Sequence, residues 1–231
     1  LRYDSIKRQQ REMIYQVRDQ ILKAEGLSGL ITAYINVACK TIIEEHDEQK
    51  GIEELVKNDA LKNDLRQFFN FKDDLSEFCR IKDIQDTQDL IHALDNFIYQ
   101  QYSDKMSMVE QDIQKTLDYH LLLETIDSLW EQHLSFLNSL RKNSDLSVNA
   151  QQDPVITYKK ESLDYFKRLL EQIKIDYITS ICHFNPVEMI TRIEEEKQKR
   201  QTENMPLGNG NTNARINKHQ LPTMFLDKVG V

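Results

Sequence analysis

The chain has 231 residues, 39% hydrophobic and 29% charged, with a net charge of −8. That is core material for one large or two small domains, and an acidic balance that argues against nucleic acid, whose phosphates want a basic face. No apolar run approaches a membrane span, and no secretory leader is visible at the start. The three cysteines, Cys39, Cys79 and Cys182, are far apart and suit buried thiols in a reducing compartment.

Residues 1–23 predict a helix with Tyr3, Ile6, Met13, Val17 and Ile21 on or near one stripe. The stripe is already running at Leu1 without a capping residue, so the expectation is a helix cut from something longer. Gly26 and Gly29 break it. Residues 28–46 predict a second amphipathic helix carrying Leu30, Ile31, Tyr34, Ile35, Ala38 and Ile42. Shorter helical pieces follow over 52–70 and 71–82, the latter alternating Phe71, Leu75, Phe78 and Ile81 with charges. Asp86 or Thr87 is placed to cap a further helix with Leu90, Ile91, Leu94, Phe97 and Ile98 inward. Residues 26–105 thus read as a small helical domain inserted between helix 1–23 and what comes next.

What comes next is a hairpin. Residues 110–141 carry Ile113, Leu117, Leu121, Ile126, Leu129, Trp130, His133, Leu137 and Leu140 at steps of three and four. Residues 155–183 repeat the pattern with Leu163, Phe166, Leu170, Ile173, Tyr177 and Ile181. The polar stretch 142–153 and Pro154 read as the loop between two long arms. Past Pro186 the apolar face vanishes, and 202–231 hold three of the six glycines and two of the four prolines. A disordered tail is expected there. Glycine and proline also set the fold class: no glycine lies between Gly51 and Gly208, and Pro154 is the only proline before Pro186. Strand-rich folds need turn residues about every ten positions. The chain is expected to be all-α.

The residues offer little chemistry. There is no glycine-rich phosphate loop, no GxSxG and no CxxC, and no two histidines stand at the i, i+4 spacing of a helical metal site. Adjacent Cys182 and His183 diverge by about 100° on a helix and do not form a dyad. His133 reads as a packed or hydrogen-bonding histidine and Trp130 as core against helix 1–23. No catalytic, cofactor or metal residue is assigned.

Several motifs carry a resemblance. Leu121-Leu-Leu-Glu-Thr-Ile-Asp-Ser-Leu-Trp-Glu-Gln-His-Leu134, Leu140-Arg141, Ala150-Gln-Gln-Asp-Pro154 and Tyr158-Lys-Lys-Glu-Ser162 with Phe166 resemble the two-helix finger of the SecA family of protein-export motors. Leu1-Arg-Tyr-Asp4, Gln10-Arg11 and Ile14-Tyr-Gln-Val-Arg18 resemble its long scaffold helix, and Gly51-Ile-Glu-Glu-Leu55 with Leu61-Lys-Asn-Asp64 falls where its helical wing would be. The resemblance spans 1 to about 185. It implies a scaffold helix at 1–23, a helical wing at 24–105, a two-helix finger at 106–185 and a C-terminal linker at 186–231.

It further implies a non-catalytic portion of a translocase, coupled to motor domains that use ATP and Mg and would lie upstream of Leu1. The implied partners are those motor domains, the SecYEG channel and unfolded preprotein. The implied place is the cytoplasm, peripheral at the inner face of the plasma membrane, or a plastid stroma and thylakoid. The finger loop, Leu146, Ser147, Val148, Asn149 and Ala150, would meet channel and preprotein, while Trp130, His133, Leu137, Phe166 and Leu170 would pack finger on scaffold. Two departures stand out. Asn149, Val148 and Ser147 occupy positions where the family usually has an aromatic, a glycine and a basic residue. No cysteine follows Cys182, so the expectation is that the family's zinc module is absent or cut off. The alternative expectation is a stand-alone helical adaptor that keeps the fold and not the transport.

Overall fold

The computed structural model describes residues 2–49, 51–146, 154–189 and 191. Among them every regular element is a helix: α1 Arg2–Lys23, α2 Ser28–His46, α3 Ile52–Leu55, α4 Asp59–Phe69, α5 Leu75–Ile81, α6 Thr87–Ser107, α7 Gln111–Leu146 and α8 Pro154–His183. The expected tail at 192–231 lies outside the described residues, as does the loop tip at 147–153.

Local chemistry starts and stops these helices. The Asn58 side chain accepts from the amides of Ala60 and Leu61 at the head of α4, and Asp74 accepts from Glu77 at the head of α5. Asn70 closes α4 in the left-handed region, at φ 53°. Asp86, not Thr87, caps α6, accepting from the Asp89 amide. Thr87 spends its hydroxyl on the Asp47 carboxylate, 2.9 Å away. Pro154 opens α8, where its missing N–H costs nothing.

Four details differ from the sequence expectation. The break after α1 lies at 24–27, and Gly29 sits inside the first turn of α2. The arm α7 runs on through Leu146, so the stretch 142–146 is helix rather than loop. Its polar residues hold no glycine or proline, and polarity alone does not stop a helix. On α1 the buried position is Ile14, with Met13 left 49% exposed. On α8, Leu169 and Ile178 are buried while Leu163 is 48% exposed; Ile81 is likewise out in solvent. At Met13 the adjacent Ile14 competes for one stripe about 100° away, and the position of the neighbouring helix chooses; beside Leu163 it is the polar Ser162 that is buried.

The helix α8 is the hub. It packs against α1, α2, α4, α6 and α7. Ile173, Tyr177, Ile178 and Ile181 from its C-terminal half join Ile31, Ile35, Leu61, Leu65, Leu90 and Leu94 of the small helices in one apolar cluster. Beneath α6, Phe71, Phe78 and Phe97 meet edge to face with centroids 5.2–5.6 Å apart. At 36 and 30 residues, α7 and α8 are about 54 and about 45 Å long. The region 24–105 therefore shares its core with the base of the hairpin, while among the described residues the hairpin's far end has α1 alone alongside.

Candidate functional site: the hairpin and its scaffold helix

Three helices build the projecting part: α1 lies along α7 and α8. Of the residues expected to pack finger on scaffold, Trp130 is 8% exposed, His133 2%, Leu137 1% and Phe166 2%. Leu170 is half-buried against the same core. Of the expected contact loop, Leu146 is the last residue of α7. Ser147, Val148, Asn149 and Ala150 lie outside the described residues.

The buried centre of this bundle is polar. The Gln10 side-chain amide donates to the Ser162 carbonyl oxygen at 3.0 Å, and its Oε1 lies 2.8 Å from His133 Nε2. Gln10 Oε1 can only accept, so His133 must donate from Nε2, which leaves its Nδ1 as the bare acceptor. That Nδ1 is buried without a partner. Burial pulls the His133 pKa down to about 4, so the ring is neutral near pH 7. Trp130 stacks on it at 5.4 Å and Phe166 tilts against it at 5.7 Å. Tyr165, partly exposed, continues the ring series and stacks on Phe136 at 3.5 Å.

On the tip side of this layer lies a second, smaller apolar cluster of Leu137, Leu140 and Tyr158, flanked by Tyr3, Ile6 and Phe136. Tyr3 meets Tyr158 edge-on at 4.7 Å, and the Arg141 guanidinium lies 5.4 Å from the Tyr3 ring centre. Arg141 also reaches Asp4 at 3.3 Å, and Arg18 pairs with Asp127. Exposed pairs of this kind stabilise by under about 1 kcal/mol each.

On the wing side lies a buried carboxyl. Asp118 of α7 is 7% exposed and accepts from the Tyr102 hydroxyl of α6 at 2.7 Å. Burial raises its pKa to about 6, although the Tyr102 bond opposes the rise. Tyr177 of α8 is buried nearby, with its hydroxyl unpartnered. Burial and then the Asp118 charge push its pKa up.

Among the described residues no cluster of His, Cys, Asp and Glu could hold a metal ion. Burial raises Cys79 to about 11 and Cys182 to about 12, far from a thiolate at neutral pH. His183 turns away from Cys182, its Nε2 2.7 Å from the Gln67 carbonyl oxygen. No helix among the described residues is long and apolar enough to cross a membrane.

The sequence reading missed Gln10, Asp118 and Ser162. The signal was present: Gln10 falls four residues from both Ile6 and Ile14, Ser162 four from both Tyr158 and Phe166, and Asp118 four before Leu122. A polar residue in register with an apolar stripe is a buried-network candidate. The family model that matches, over residues 1–185, is described as the SecA Wing and Scaffold domain.

Proposed function

The chain belongs to the SecA wing and scaffold family, and on that premise we propose that its hairpin and α1 form the lever by which a translocase motor moves preprotein. Membership gives the coarser statement outright: the role is a SecA-related one in protein translocation, and the wing and scaffold is a non-motor part of SecA. The proposal adds what the lever touches. Motor domains, in cis or in trans, bind ATP and Mg and push on α1. The hairpin tip, from Leu146 through Ala150, meets the SecYEG channel and the unfolded chain inside it. Attachment to the membrane is peripheral, through the channel, on the cytoplasmic or stromal side.

The observation that carries this reading is that the matched region includes both hairpin arms together with the helix that clamps them. Mechanically the arrangement suits a lever. The two arms are about 54 and about 45 Å long, stiffened by a third helix and rooted in a large core at one end. Asn149 would contact the passing chain by hydrogen bonds, where an aromatic would offer a larger, sequence-tolerant face.

The test places a photo-crosslinker at Asn149 in this chain joined to the motor half of a relative, with a preprotein stalled in the channel. Crosslinks to the preprotein support the full reading. Crosslinks to the channel alone keep the lever and remove the grip. With the fusion folded and hydrolysing ATP, no crosslink to either would sink the proposal and leave a helical adaptor.

A further inference from the structure

Four buried polar or charged residues stand among the described ones, and two of them, Gln10 and His133, make one layer across α1 and α7 that is tied to α8 through the main-chain carbonyl of Ser162, whose hydroxyl donates within α8 to the Lys159 carbonyl oxygen. The rest of the buried contact is apolar; the other polar contacts of α1 with α7, Lys7 to Asn138, Arg18 to Asp127 and Arg141 to Asp4, are exposed side-chain pairs of small worth. Ile6, Ile14 and Ile21 of α1 lie along the hairpin at spacings of eight and seven, with Gln10 filling the gap in the stripe, so a slip of one turn, about 5.4 Å, puts Gln10 or Arg18 in the buried place of Ile14. Apolar packing has no direction, whereas hydrogen bonds do. A slip of four residues would bring Ile6 or Ile14 to the place of Gln10. The His133 Nε2–H would then be buried with no acceptor.

We infer that this layer is a register pin, with Gln10 as the positioning residue that fixes α1 axially against the hairpin. Gln10 suits the task because it answers both arms at once, accepting from α7 and donating to α8. The pin sits between the large wing-side core and the small tip-side cluster. The tip packing can therefore loosen while α1 and the hairpin stay in step. The purpose of the pin rests on the coupling reading above, since a lever that slips transmits no stroke; its existence does not.

The experiment uses the full 231-residue chain with spin labels on Glu12→Cys and Glu171→Cys, both exposed sites, offset along the axis. The native thiols Cys39, Cys79 and Cys182 are buried. Pulsed dipolar spectroscopy on the parent should give one narrow distance. The double variant Gln10→Leu with His133→Phe makes the layer apolar without leaving an unpaired group. Expected is unchanged helix content with a second distance population displaced by up to about one turn, 5 Å. A single narrow distance in the double variant would overturn the inference. So would equal broadening in Leu137→Ala, which weakens packing and leaves the layer intact. Should the double variant not fold, Gln10→Met alone carries the same reading. No motor, channel or preprotein is present, so failure here is separate from failure of the translocation reading.

Discussion

The two ends of the hairpin are built from the same two helices and held in unlike ways. At the wing end, α8 is surrounded by α2, α4, α6 and α7, and residues such as Tyr177 and Ile178 are wholly buried. At the tip end, among the described residues, α1 alone covers the pair, and the cluster there is Leu137, Leu140, Tyr158 and their three flanking neighbours. The difference teaches how a long helical pair serves as root and probe together. Burial on all sides roots it, and burial on one side leaves it free to reach. The polar layer of Gln10 and His133, tied to the Ser162 carbonyl, marks the boundary.

The strongest way to break that comparison is to cut equal volumes from both ends. Ile178→Ala should cost about 3–5 kcal/mol and lower the single cooperative melt of the whole unit, because its cavity opens inside the large shared core. Leu137→Ala should cost less, about 2–3 kcal/mol, since the cover there can collapse. Its loss should appear by hydrogen exchange as early opening of the 137–146 turns, with the α2, α4 and α6 amides still protected. Equal global losses would remove the distinction between root and probe.

A pH titration sharpens it, because the two sides carry buried groups of opposite sign. Asp118 has a folded pKa of about 6, above its ordinary 3.8, so its contribution is complete below the unfolded pKa and is lost as pH rises through 6. His133 has a folded pKa of about 4, below its ordinary 6.5, so its contribution is present above 6.5 and is lost as pH falls towards 4. Between pH 4 and 6.5 the two slopes oppose. Asp118→Asn should make stability fall more steeply on acidification, and His133→Gln should make it fall less. Each change amounts to about 1–3 kcal/mol across the window, read by urea unfolding at fixed pH steps.

Smaller still are the local features. Asp86→Ala removes the cap of α6 and should cost about 1 kcal/mol at the root. Arg18→Ala, which removes the pair with Asp127, should cost under about 1 kcal/mol and vanish in high salt. A large salt-dependent loss there would make surface charge, rather than the buried layer, the bond between α1 and α7.

Much of this was legible beforehand. The cap at Asp86 was read from neighbouring residues, while those at Asn58 and Asp74, the same short-range chemistry, were not. The two arms show in the spacing of Leu121 to Leu140 and Phe166 to Ile181. Exposure of Met13 was not legible, because a helix with two adjacent apolar candidates does not say which one its neighbour will cover; nor was that of Leu163, beside which the polar Ser162 is buried instead. The burial of Gln10 could be read from its register with Ile6 and Ile14, but its pairing could not, since Gln10 and His133 are separated by 123 positions.

The sequence by itself determined the helices: scarce glycine and proline forbid frequent turns, and a 3.6-residue period needs only local residues to show itself. Only the tertiary structure decided which faces met, that α8 would be the hub, and that Gln10 would answer His133 and Ser162. The physical reason is one of range. Propensity and capping act within a turn or two of helix, whereas a buried hydrogen bond needs partners from different helices, which only packing brings together.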